Sequence, residues 1–417
     1  MNILLKSATI VDKTNGKLHL KKRDILIING VIEEISTSIK PAGNIKTLNF
    51  KNLHVSAGWF DSSVSFGEPG YEERETINNG LMVAAKSGYT DIVLNTNTNP
   101  LPDSSGAIVF LKNAAKEQPT KLHPLGTLTV LSEGIDLAEL YDMQNSGAVG
   151  FYDFKRSISN SNLLKIALQY SQDFNGLVYS FPMDKQIMSK GIVNEGISST
   201  RVGLKGIPAL AEELQIARDL FILEYTGGYL HIPTISTARS VRLIGEAKRK
   251  GLNVSCSVAV HNLLFSDEVL DSFDSNYKVL PPLRTSKDIN ALIKGLKEGI
   301  IDFVTSDHTP IDIEEKRIEF DNAAYGTIGL ENAFGVLNKL FDTETAVTLL
   351  SKGRERYGLS PVAIKKGSLA NLTLFDPESE YIFTKENCNS TSKNSMFFGK
   401  KMKGKVYGII ANNQIIV

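Results

Sequence analysis

The sequence predicts an α/β protein: a closed (β/α)₈ TIM-type barrel carrying a small β-sandwich domain built from both chain ends. Three observations carry that expectation. Eight short apolar runs alternate with helical patterns through the middle of the chain. Alternating βα units imply a parallel sheet, and eight of them close a barrel. Both ends lack helical patterning and share a hairpin texture instead. The competing architecture is an open doubly wound sheet, but no glycine-rich G-x-G-x-x-G turn supports one.

Residues 1–53 contain "NILLKSATIV", "RDILIING" and "VIEEIST", with Asn29-Gly30 marking a two-residue hairpin turn. Residues 54–358 supply the barrel. Its expected strands are "VSAGWFD", "YTDIVLN", "LHPLGTLTV", "AVGFYDF", "GLVYSF", "YLHIPTI", "NVSCSVA" and "IDFVTSD". Between them, "ETINNGLMVAAKSG" sets Ile77, Leu81 and Ala84 on one helical face. "STARSVRLIGEAKRKG" opens on Ser/Thr, carries Val241, Ile244 and Ala247, and stops at Gly251. "SKDINALIKGLKEG" follows the same plan and stops at Gly299. Residues 359–417 return to strands with "LANLTLFD" and "VYGIIANNQIIV", completing the small domain.

Lys+Arg and Asp+Glu are equal at 46 each, which argues against a general nucleic-acid or membrane-surface role. Cys256 and Cys388 suggest no disulfide framework, so a reducing cytoplasm is the expected compartment. The start shows no basic region leading into an apolar one, so no signal peptide is read. No apolar run approaches the ~18–20 residues that span a bilayer.

Working residues of a barrel sit at the C-terminal strand ends. There the chain places Asp61, Ser63 and Ser65; Asn95, Asn97 and Asn99; Asp153; Ser180; Thr234; His261; and Asp307 with His308. A hydrolytic metal needs several His, Asp, Glu or Cys ligands converging on one point. The chain has six histidines, and no two have H-x-H or H-x₃-H spacing. His19 lies in the terminal β region and His231 in mid-strand, where an imidazole reads as a packed structural group. Ser63 and Ser65 lack a G-x-S-x-G nucleophile elbow. Lys155, Asp153 and Asp307 are candidates for one polar cluster. Asp153 reads as a structural anchor; Asp307 stays open between base and anchor.

The pieces "GWFDSSVSFGEPGYEERET", "NTNTNP", "GAVGFYDF", "NYKVLPPLRT", "GIIDFVTSDHTP", "KGSLANLTLFDP" and "GKKMKGKVYGII" together resemble the dihydroorotases of the amidohydrolase superfamily. The resemblance covers nearly the whole chain, and it implies the metal-dependent amidohydrolase barrel with its small β domain. It also implies which positions matter. Where the family has His-x-His-x-Arg after the first strand, this chain has Ser63, Ser65 and Gly67. The family histidines of strands five and six fall at Ser180 and Thr234. Leu280 replaces a family asparagine, and Ile311 a family histidine. Asp307 matches the proton-shuttling metal-bound aspartate, Asp153 the acidic strand-four position, and Asn97 a substrate-binding asparagine.

Of the family's ligand positions, Ser63, Ser65, Asp153, Ser180, Thr234 and Asp307, four thus hold hydroxyl side chains. A neutral hydroxyl is a poor zinc ligand near neutral pH, so no metal is expected. The reading adopted is a catalytically impaired dihydroorotase homologue of pyrimidine biosynthesis. It is a structural or regulatory partner of aspartate carbamoyltransferase, and a homo-oligomer. Two alternatives stand beside it. One is an active dihydroorotase interconverting N-carbamoyl-L-aspartate and dihydroorotate, with zinc bound. The other is a barrel repurposed to bind a metabolite.

Overall fold

The computed structural model describes residues 1–40, 43 and 45–417. The N-terminal strands are β1 (Ile3–Val11), β2 (Lys22–Ile28), β3 (Val31–Ser36), β4 (Lys46–Leu48) and β5 (His54–Ala57). The barrel follows with β6 (Trp59–Val64), β7 (Tyr89–Leu94), β8 (Lys121–Pro124) and β9 (Leu177–Tyr179). A short parallel pair, β10 (Val193–Asn194) and β11 (Gly206–Ile207), stands outside it. Then come β12 (Tyr229–Ile232), β13 (Val254–Ala259) and β14 (Phe303–Thr305). The chain ends with β15 (Leu372–Ile382), β16 (Lys401–Ala411) and β17 (Gln414–Ile416).

The terminal strands form one sheet in the order β17-β16-β15-β5-β1-β2-β3, with β4 also paired to β1. Asn29 and Gly30 both take positive φ, 50° and 77°, as a type I′ hairpin between β2 and β3 requires. Alternating residues Ile3, Leu5, Ile25, Ile27, Val55, Leu372 and Leu374 bury one face as a separate apolar core. The expected single strand "VSAGWFD" is two strands split at Gly58. A Cβ there would lie 2.0 Å from Asn371 Oδ1 and 2.2 Å from Thr90 Oγ1, so only glycine lets the chain pass. Because β5 pairs with β1 and β15, residues 54–57 lie in the terminal sheet and the barrel begins at Trp59.

The barrel strands are parallel in two runs, β6-β7-β8 and β9-β12-β13-β14. Bridges from Phe151 to Gly126 and to Val178 join the runs on one side, and a Val64–His308 bridge closes the other. The expected fourth strand "AVGFYDF" is therefore reduced to the bridges of Phe151. Side chains take over the pairing beyond it. Thr96 Oγ1 accepts from Phe154 N, and the Asp153 carboxylate accepts from Leu128 N and Thr129 N. Asp61 fastens the closing seam: it accepts from Ser63 N (3.0 Å), Ser306 N (2.9 Å) and the Thr305 hydroxyl.

The helices anticipated from periodicity occur at Ile77–Lys86, Ala238–Arg249 and Ser286–Lys297, each with its apolar stripe inward. Their N-caps are Thr76, Thr237 and Thr285, whose hydroxyls accept from backbone N–H groups of the first turn. Among the described residues, no helix is long and apolar enough to cross a membrane.

Candidate functional site

At the C-terminal mouth of the barrel, Asp307 follows β14 and projects a carboxylate that is 2% exposed. Lys155 Nζ, four residues past the bridge residue Phe151, donates to Asp307 Oδ2 at 2.8 Å. Ser63 Oγ donates to Asp307 Oδ1 at 3.3 Å. Ser63 Oγ in turn accepts from Asn95 Nδ2 at 3.1 Å, and the same amide donates to Ser65 Oγ at 3.1 Å. The first, second, fourth and eighth strand ends thus meet in one network of an ion pair, two hydroxyls and an amide. Asp307, Lys155 and Thr234 hold φ of 48°, 53° and 47°. Such left-handed backbone costs a non-glycine residue about 1–3 kcal/mol and persists where the surroundings fix it.

The remaining candidates lie around this network without joining it. Asp153 turns away: Oδ1 accepts from Leu128 N (2.9 Å) and Thr129 N (3.0 Å), and Oδ2 from Thr129 Oγ1 (2.5 Å). It anchors a loop, so the polar cluster anticipated for Lys155, Asp153 and Asp307 contains two of the three. Ser180 Oγ donates to Asp219 Oδ2 at 2.5 Å and is committed to that helix residue. Thr234 Oγ1 and Asn97 Oδ1 are buried with no partner. Gly67 is closed to any side chain, since a Cβ would stand 1.7 Å from Tyr71 O. Leu280 and Ile311 are buried apolar groups.

Two histidines border the mouth. Both ring nitrogens of His261 are buried and unpartnered. Burial, helped by the nearby Lys155 charge, holds its pKa down to about 3. His308 Nδ1 accepts from Gly329 N at 3.2 Å, which assigns the ring proton to Nε2, and burial lowers its pKa to about 3. His231 behaves as mid-strand position suggests: it hydrogen-bonds Ser255 Oγ and Ser257 Oγ and stacks on Phe303. Burial pushes the Asp307 carboxyl upward, while Lys155 and Ser63 oppose the shift by favouring the anion.

The donor set does not suit a catalytic metal. The one inward carboxylate of the network is already neutralised by an ammonium, and its other neighbours are hydroxyls and an amide. Zinc is ordinarily held by imidazole, thiolate and carboxylate. Among the described residues, no three His, Cys, Asp or Glu side chains converge as a metal-holding group.

Sequence reasoning missed two buried networks that frame the mouth. Arg284, 1% exposed, donates to Ser236 Oγ (3.1 Å), Asn194 Oδ1 (2.8 Å) and Ile207 O (2.8 Å), beside the fully buried Glu212. Glu75, on the loop after β6, accepts from Thr391 N, Thr391 Oγ1 and Ser390 Oγ, which clasps the segment between β15 and β16 onto that loop. Apart from Asn79, four residues from Glu75, their partners are 24 to 316 residues away, so no local pattern announces them. Glu75 stands in "EERET" and Glu212 beside Glu213, so charge alone did not single them out; Arg284, after the uncharged "VLPPL", was the one local signal.

A protein-family model described as "Dihydro-orotase-like" matches residues 54–240. The curated dihydroorotase of Caldicellulosiruptor saccharolyticus is 39% identical over 423 residues, covering 99% of this chain and 98% of the relative. That of Pelotomaculum thermopropionicum is 35% identical over 424 residues, covering 100% and 99%. Among solved structures, the L-hydantoinase (dihydropyrimidinase) of Arthrobacter aurescens superposes with a TM-score of 0.82 at 20% identity. It covers 100% of this chain and 97% of that one, a likeness of fold.

Proposed function

The chain belongs to the dihydroorotase family, and from that premise we propose that it keeps the family barrel without metal-dependent ring hydrolysis. In this reading it serves pyrimidine biosynthesis in the cytoplasm as a structural or regulatory partner of aspartate carbamoyltransferase. The observation that carries the reading is the Lys155–Asp307 ion pair set among Ser63, Ser65 and Asn95. Hydrolysis of a cyclic amide needs an activated water and a stabilised tetrahedral oxyanion. Asp307 retains the character of a base, but its neighbours offer neither a Lewis acid nor an anion-binding arginine. Position 67, where the family carries that arginine, has no room for any side chain.

Assembly has a surface to use. The outer face of helix Ala209–Thr226 exposes Leu214, Phe221 and Tyr225 at 47%, 72% and 79%. Exposed apolar groups clustered on one face mark interaction sites. The transcarbamoylase partnership and self-association rest on this surface and on the resemblance. A second reading, a metabolite-binding barrel, is favoured by the unpartnered buried polar atoms of Thr234, Asn97 and His261.

Purified chain should give no ultraviolet-detected turnover of dihydroorotate or N-carbamoyl-L-aspartate. It should co-elute with aspartate carbamoyltransferase from the native organism. Turnover abolished by Asp307→Asn would establish the active enzyme instead. Elution wholly apart from transcarbamoylase would remove the proposed partner.

A further inference from the structure

Asp307 is an inward carboxylate at the C-terminal end of the last barrel strand, the place where barrels gather their working groups. Its counter-charge comes from the chain itself. Lys155 Nζ lies 2.8 Å from Oδ2, and the two side chains are 11% and 2% exposed. The other carboxylate oxygen takes the Ser63 hydroxyl. Both residues hold positive φ, so the backbone on each side is bent into a disfavoured region where this contact forms. The Phe154 ring lies 5.2 Å from the ammonium and adds a cation–π contact. Asp153, the nearest other carboxylate along the chain, spends its oxygens on Leu128, Thr129 and no cation. Burial first, and then the Lys155 charge, keeps His261 neutral.

A metal ion bound to Asp307 would sit about 2.0–2.2 Å from a carboxylate oxygen. That places it in near contact with the ammonium, two cations in a buried site where like charges repel strongly. We propose that Lys155 is the resident cation of this barrel: its ammonium neutralises Asp307 from the position a metal would take and closes the site to divalent ions. This rests on the metal-free reading above and adds to it a cause. On that reading the absent histidines leave zinc without ligands, and Lys155 predicts that restoring them is insufficient.

The test compares Ser63→His/Ser65→His in two backgrounds, with Lys155 kept and with Lys155→Met. Zinc affinity is read by calorimetry, and the ligand field by absorption of the cobalt(II)-loaded protein. We expect affinity to rise by about tenfold or more when Lys155 is removed, with cobalt bands developing in that background alone. Equal zinc affinity in both backgrounds overturns the proposal. Should the double-histidine chains not fold, a thermal cycle decides. Lys155→Met and Asp307→Asn should each lower the melting temperature, and the double variant should recover most of the loss. Simple addition of the two losses overturns it. Stoichiometric zinc in the unmodified protein defeats the metal-free reading itself. A metal-free parent with equal affinities in the two backgrounds defeats only the role of Lys155.

Discussion

Glu212→Ala is expected to destabilise the protein by about 3–5 kcal/mol, because it strands a buried guanidinium. Glu212 is 0% exposed and Arg284 1%. The carboxylate accepts from Ser236 N at 2.8 Å, Thr237 N at 3.0 Å and Ser240 Oγ at 2.7 Å. Arg284 is 3.9 Å away and spends its donors on Asn194, Ile207 and Ser236. Burial lowers the arginine pKa, and the glutamate counters that shift first among the nearby acids. Removing one partner leaves an uncompensated charge; removing both leaves a cavity with no charge in it. The urea midpoint should therefore fall sharply for Glu212→Ala, and the Glu212→Ala/Arg284→Met pair should lose less than the two single variants summed. Strictly additive losses would show that the two residues do not act as a unit.

Stability is also expected to fall steeply in acid, through histidines that the fold keeps neutral. Burial holds His261 and His308 at about 3, and lowers His231 well below its ordinary value. Below about pH 6.5 the unfolded chain binds protons at these rings while the folded chain does not. Stability from these groups is complete above that value and is lost as pH falls toward 3, with a slope of about 1.4 kcal/mol per pH unit for each ring. Asp61, Asp153 and Asp219 work the other way, since burial raises them. Their contribution is present in acid and is lost as pH rises through their folded values. Substitution separates the two. His308→Asn keeps an acceptor for Gly329 N but does not titrate. Its melting temperature should fall less than that of the parent between pH 7 and pH 4.5. Parallel pH profiles would contradict the assignment.

Much of the fold was legible because it rests on local rules. Asn29-Gly30 can only be a tight hairpin, and Ile77, Leu81 and Ala84 can only face one way on a helix. The fourth strand was not legible as it stands. Apolar "AVGFYDF" looks like its neighbours, and what shortens it is side-chain pairing: Thr96 Oγ1 takes the Phe154 N–H, and the Asp153 carboxylate takes the Leu128 and Thr129 N–H groups of the neighbouring run. The hydroxyl residues at the strand ends were legible residue by residue, and so was the candidacy of Lys155. Which carboxylate Lys155 would choose was not, because that depends on backbone bends at residues 155 and 307. Gly67 shows the limit most clearly. By resemblance it stands where the family carries an arginine; in the structure it is a loop packed so closely on Tyr71 that no side chain fits.

On the proposed reading this barrel mouth is charge-neutral and complete without a metal. Elemental analysis of the protein, purified after exposure to excess zinc and then desalted, tests it most directly. The Lys155–Asp307 pair and the hydroxyls around it predict far less than one zinc per chain and no change in melting temperature on adding zinc. One or more tightly held zinc ions per chain, stabilising the fold and lost in Asp307→Asn, would contradict it.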